Sequence, residues 1–221
     1  MKALSIQDIE DTCTRYAVRY QQYGYSPKTL GWLKGKQDIR FEILTSQYNF
    51  ANKSVLDLGC GFGDLNITLS KKNIPYTYLG IDLCEELVKK GREIFKAPHI
   101  DMLCADFLSY KFKNSFDWAI SSGVFNHILT HKNNYKFIYA AMKKCYCIVN
   151  DGFSFDFISD KVDYRDGHIF YANPEKILEF AYSFSRRVIL RSDYMPFEFS
   201  IFVFKDDSFD RQDTIFTNYK K

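Results

Sequence analysis

The chain has 221 residues, 46% hydrophobic and 26% charged, a composition that excludes a disordered protein and is long enough to bury a core. Its net charge of +3 is too small to point to nucleic acid. No apolar run approaches the roughly 20 residues of a bilayer span, and the first residues, Met1 to Ser5, lack the apolar segment of a signal peptide. A cytoplasmic location with no membrane partner is therefore expected. The six cysteines, Cys13, Cys60, Cys84, Cys104, Cys145 and Cys147, sit within helix or strand patterns. They form no C-x-x-C pair and no Cys/His cluster at zinc spacing, so reduced thiols and no metal site are expected.

Residues 5–23 place Ile6, Ile9, Cys13, Tyr16, Ala17 and Tyr20 at helical spacing, and Ser5 with Asp8 has the form of a capping box. Gly24 and Pro27 break the pattern. Tyr23 and Tyr25 flank that break and are candidates for the mouth of a substrate site. A second helix is expected over 32–48. Gln37 and Arg40 lie three apart on its surface, and an arginine there can clamp a carboxylate bidentately.

The first strand is expected at 54–58, followed by a helix over 64–72. Between them the run Val55-Leu56-Asp57-Leu58-Gly59-Cys60-Gly61-Phe62-Gly63-Asp64 reads as strand, turn and helix start. Glycine admits positive φ and close approach of a ligand to bare backbone. The dinucleotide fingerprint needs a glycine where Asp64 stands, and no Gly-Lys-Ser/Thr of a P-loop follows.

What remains, D-x-G-x-G-x-G over 57–63, resembles motif I of the class I S-adenosylmethionine (SAM) dependent methyltransferases. In that family the loop passes under the amino-acid part of SAM, which here implies contacts from Asp57, Gly59, Cys60, Gly61 and Gly63. A helix before the first strand covers SAM in the family, so Gln37 and Arg40 are implied cofactor contacts, Arg40 on a carboxylate of SAM or of the substrate. The strand over 76–81 ends in Asp82, about 20 positions after Gly63, where an acid accepts the ribose hydroxyls. Leu83 follows it. A helix over 85–96 and a strand over 100–105 lead to Asp106 and Phe107, implied to meet the adenine amino group and ring. A strand is expected over 115–121, and the phrase Phe116-Asp117-Trp118-Ala119-Ile120-Ser121-Ser122-Gly123-Val124-Phe125-Asn126-His127 is similar to motif IV, with Asp117 at the far end of that strand. Ser121, Asn126 and His127 fall at the carboxyl end, where open α/β sheets bind ligands, and are the polar candidates near the sulfonium, Ser121 as a cofactor contact. Of these only His127 has a near-neutral intrinsic pKa, so His127, with Asn126, is the candidate catalytic pair.

A helix is expected over 133–149, a turn at Asp151-Gly152, a strand over 153–158 and a loop over 159–174. In that loop Arg165 and His168 are candidates to meet an anionic acceptor. A helix over 175–183 and strands over 187–191 and 199–204 complete the pattern. The alternation predicts a three-layer α/β domain. The resemblance implies a Rossmann-like, seven-stranded, mostly parallel sheet with its last strand antiparallel. One methyltransferase domain is expected over 1–221, with a helical lid at 1–50, a SAM-binding core at 51–205 and a polar tail at 206–221.

Two departures narrow the function. The N-P-P-Y/F or D-P-P-Y/F of nucleic-acid amino methyltransferases is absent, as is the Lys-Asp-Lys-Glu tetrad of catechol and ribose 2′-O-methyltransferases. The expected activity is methyl transfer from SAM to an O or N atom of a small polar metabolite, such as a sugar or phosphorylated glycan intermediate, with S-adenosylhomocysteine (SAH) as product and no metal. Two rivals stay open: a SAM-fold regulator without catalysis, and a NAD-dependent oxidoreductase, against which Asp64 counts.

Overall fold

Helix α1, Ile6–Tyr23, starts where the capping box predicts. The Ser5 hydroxyl accepts from the Asp8 amide at 3.1 Å, and the Asp8 carboxylate accepts from the Ser5 amide at 3.1 Å. The computed structural model describes residues 4–32 and 36–205; the expected tail at 206–221 lies outside them. Helix α2, Gln37–Leu44, is shorter than the 32–48 expected. Lys36 has φ 72°, left-handed backbone that cannot continue a helix backwards. At the other end the Thr45 hydroxyl donates to the Phe41 carbonyl at 2.8 Å, the local competition that favours Thr at helix ends.

Among the described residues, seven strands form one sheet. In chain order they are β1 (Lys53–Leu58), β2 (Tyr76–Asp82), β3 (Ile100–Cys104), β4 (Phe116–Ser121), β5 (Val149–Ile158), β6 (Val188–Arg191) and β7 (Glu198–Phe204). Across the sheet the order is β3-β2-β1-β4-β5-β7-β6. All neighbours are parallel except β7, which runs antiparallel between β5 and β6. Strand β5 begins at Val149, so Asp151-Gly152 lies inside it and is not the expected turn. Gly152 is there for close approach: a Cβ would stand 2.3 Å from the Val203 carbonyl oxygen.

Helices α3 (Leu65–Lys71), α4 (Glu85–Ile94), α5 (Asn134–Ile148) and α6 (Pro174–Tyr182) connect the strands. Successive strand residues alternate between the two faces. Leu56, Leu58, Phe153, Phe155 and Phe157 pack with Ile138, Met142 and Ile177 of α5 and α6. Val55, Tyr78, Trp118 and Ile120 pack on the other face with Phe41, Leu44, Leu65 and Leu69 of α2 and α3. Each fully buried phenylalanine contributes about 1.5–3 kcal/mol by transfer from water. Because both faces are covered, the central strands read as near-continuous apolar runs. The strand order reverses between β1 and β4, and the crevice at their carboxyl ends is the place this topology offers a ligand.

Candidate functional site

A cleft opens at the carboxyl ends of β1, β2, β3 and β4, roofed by α1 and by Trp32 and Gln37. Its floor is the loop after β1. Gly59, Gly61 and Gly63 have φ of 65°, 55° and 82°, left-handed backbone at every second residue. At Gly59 a Cβ would also stand 2.2 Å from Val124 Cγ2, so neither backbone nor space tolerates a side chain. Asp82, at the end of β2, holds the loop: its carboxylate accepts from the Gly61 amide at 2.8 Å and the Cys84 amide at 2.9 Å. Burial pushes its pKa up, against those amide bonds.

Asp57 lies buried at the end of β1 and accepts a hydrogen bond from the Tyr78 hydroxyl at 2.8 Å. Burial, reinforced by the charges of Asp82 and Asp64 and opposed by Tyr78, pushes its pKa up to about 8. Asp106 follows β3, where Cys104 pairs with Asp82. One Asp106 oxygen caps the next turn by accepting from the Leu108 amide at 2.9 Å. The Lys144 ammonium fixes that turn through the Phe107, Leu108 and Tyr110 carbonyls. Leu83, Ala105 and Phe107 make an apolar wall between the two acids.

The opposite end of the cleft is built by the loop after β4. Ser122, Gly123 and Val124 line it, and the buried Asp156 of β5 accepts from the Ser122 hydroxyl and, at 2.7 Å, from the Gly123 amide. His127 lines the cleft half-buried. Its pKa falls to about 4, through burial first and then through Arg15, Arg19 and His168, so the imidazole is neutral at physiological pH.

The cleft thus gathers Asp57, Gly59, Cys60, Gly61, Asp82, Leu83, Asp106, Phe107, Gln37 and His127. Gly63, also expected at the cofactor, is not among the residues that line the cleft; it closes the loop by donating its amide to the Cys60 carbonyl at 2.8 Å. Other expected residues are employed elsewhere. The Ser121 hydroxyl is wholly buried and donates to the Leu58 carbonyl at 3.1 Å, tying β4 to β1; it is Ser122 that faces the cleft. Asn126, expected to pair with His127, is not among the residues that line the cleft, and its amide oxygen accepts from the Ile158 amide at 3.2 Å. Arg40 clamps a carboxylate, but that of Glu198, with Nε to Oε2 at 2.8 Å and Nη2 to Oε1, and it stacks on Trp32. Tyr25 donates to Asp64 at 2.8 Å and Tyr23 lies beside Lys28, both away from the cleft lining. Arg165 stacks on Tyr171, and His168 pairs with Asp166 at the surface. His168 does not line the cleft but borders it, its ring 6.0 Å from that of His127 and its carbonyl accepting from the Ile128 amide at 3.2 Å.

A helical lid at 1–50 was expected, but not the residues with which α1 faces the site: Asp8, Asp11, Thr12, Arg15 and Tyr16 all line the cleft. Positions 8, 12, 15 and 16 share a helix face, but only the tertiary structure reveals that this face covers the loop after β1.

Comparison with known proteins bears on this geometry. A family profile described as a methyltransferase domain matches residues 55–151, from β1 into β5. A Mycobacterium tuberculosis protein that carries a provisional methyltransferase name is 30% identical over 159 residues, 69% of this chain and 93% of that protein. Among solved structures, DhpI in complex with SAM and HEP is similar with a TM-score of 0.65 at 12% identity, over 90% of this chain and 98% of that one. Magnesium protoporphyrin IX methyltransferase of Synechocystis PCC 6803, determined with bound SAH, has a TM-score of 0.62 at 14% identity, over 87% and 94%. The N-methyltransferase NodS of Bradyrhizobium japonicum WM9, also with SAH, has 0.61 at 14% identity, over 86% and 97%. At these identities the structural likeness establishes the fold.

Proposed function

Because the chain belongs to the class I SAM-dependent methyltransferases, we propose that it methylates an O or N atom of a small polar acceptor in the cleft under α1. The single observation that carries this is one continuous cleft, with the glycine loop and Asp82 at one end and neutral His127 at the other.

The residues present fit SAM. Asp82 and Asp106 are acceptor groups at the ends of neighbouring strands, matched to ribose hydroxyls and an adenine amino group. Leu83 and Phe107 offer the apolar contact an adenine ring needs. The positive-φ glycines keep side chains out of the floor, and Asp57, held by Tyr78, is a carboxyl that an arriving ammonium group would ionise into an acceptor. When bound, SAM supplies an electrophilic methyl group on a sulfonium. The chain's task is then to hold a nucleophile in line with that methyl and to exclude water. His127, unprotonated at neutral pH, accepts the proton of an acceptor hydroxyl or amine. The Asp156 bonds to Ser122 and Gly123 fix the wall beside it. A small acceptor fits a cleft closed on one side by α1 and by Trp32.

Calorimetric titration with SAH, SAM and NAD tests the reading. SAH and SAM bind at micromolar concentration and NAD does not. Asp82→Ala weakens SAH by about 1.5–3 kcal/mol, the value of a hydrogen bond to a charged group. Absence of SAH binding by the wild-type protein overturns the reading.

A further inference from the structure

Helix α1, which roofs the cleft, carries two guanidinium groups that pair with no carboxylate among the described residues, one lining the cleft and one beside it. Arg15 lines the cleft, and Arg19 follows one helical turn later on the same face of α1. Arg19 lies over Gly31, with Nη1 3.0 Å from where a Cβ would stand. Both side chains are half-buried. Each lies 6.0 Å from the Tyr16 ring, and among the described residues neither is in an ion pair.

The nearby acids are already engaged. Asp11 lies four residues before Arg15, a spacing at which the two would pair on a free helix, yet its carboxylate accepts from the Gln7 amide nitrogen at 2.8 Å. Asp8 accepts from Ser5 and, at 2.8 Å, from the Thr130 amide. Asp82 is bonded to Gly61 and Cys84 at the cofactor end. Two like charges held together and partly out of water are unfavourable until an anion joins them, and the guanidinium fork matches carboxylate and phosphate oxygens.

We propose that Arg15 and Arg19 bind an anionic group, carboxylate or phosphate, of the methyl acceptor and hold the acceptor beside His127. This rests on the methyltransferase reading and narrows it to anionic acceptors. It also gives the pair a second effect. The two cations are among the groups that keep His127 weakly basic. An anion between them relieves that pressure, so the imidazole becomes a better proton acceptor once the acceptor is seated.

The same fork would suit the carboxylate of SAM itself, so the test has two arms. In the first, SAH-loaded protein is titrated with inorganic phosphate and with acetate while the His127 ring protons are followed by NMR. A saturable shift in the wild type, with at least tenfold weaker anion affinity in Arg15→Gln and Arg19→Gln, supports the proposal. Arg15→Lys, which keeps the charge without the fork, lies between and controls for folding. In the second arm, SAH and 5′-methylthioadenosine, which lacks the amino-acid carboxylate, are titrated against the same variants. Unchanged affinity for both agrees with an acceptor site. The proposal is overturned by no saturable shift with either anion, by equal anion affinity in the Gln variants, or by a tenfold loss confined to SAH. Failure of wild-type protein to bind SAH overturns the methyltransferase reading, and this inference with it.

Discussion

Asp57 shows how far one residue's chemistry is set by its place in the fold. It sits on the α2–α3 face of β1, buried with one hydroxyl partner, and its pKa rises to about 8 from 3.8. In the unfolded chain the carboxyl ionises near 3.8, while in the folded chain it keeps its proton until about 8. Between those values the unfolded state binds fewer protons, so stability falls as pH rises through that window. Asp57→Asn removes this contribution. Urea midpoints at pH 5 and pH 8 are expected to differ less in the variant than in the wild type, and an unchanged difference would show that Asp57 titrates normally. The sequence marked Asp57, Asp82 and Asp106 because strand ends and glycine spacing are local signals. It misassigned Ser121 because one step along a strand reverses the face, and Ser122 is the residue that turns to the cleft. Arg40 was legible as a carboxylate clamp, but its partner stands 158 positions away, beyond any local pattern.

At the scale of elements, periodicity located every helix and strand to within a few residues, and the differences have local causes. α2 starts late because Lys36 is left-handed, and β5 starts early because Gly152 admits a neighbouring carbonyl. The capping box of α1 was likewise visible, but not the helix's attachment. Asp8 uses one oxygen for the box and gives the other to the Thr130 amide, 122 positions on, across the cleft mouth. Burial works to raise its pKa, but the bonds from Ser5 and Thr130 outweigh it and hold the carboxyl below its usual range. Asp8→Ala removes the cap and the tether together and is expected to cost about 1–3 kcal/mol. Hydrogen exchange should speed up in α1 and around Thr130, with SAH affinity reduced. Acceleration confined to the first turn of α1 would show that the tether contributes nothing.

The whole molecule is closed by contacts between the N-terminal helices and the last strand. Arg40 of α2 crosses to Glu198 at the start of β7 with both ends of its fork, stacks on Trp32 at the cleft roof, and is 8% exposed. Glu198 is pushed up to about 7 by burial and by Asp156, against the pull of Arg40. Asp156 in turn anchors Ser122 and Gly123 in the cleft wall, so a set of buried polar groups joins roof and wall to the paired strands β5 and β7. Such a pair costs more to break than to replace, because a charge left buried alone loses its solvation without compensation. Glu198→Ala is therefore expected to destabilise the protein by about 3–5 kcal/mol. The double variant Arg40→Met with Glu198→Leu, apolar and of similar volume, should recover most of that loss. If thermal unfolding shows the double variant losing as much as the two single variants combined, the pair acts independently of its burial. If the double variant is stable yet binds SAH more weakly, the pair's contribution lies in holding Trp32 over the cleft, since the packing lost in the sheet has been restored while the cation that stacked on Trp32 has not.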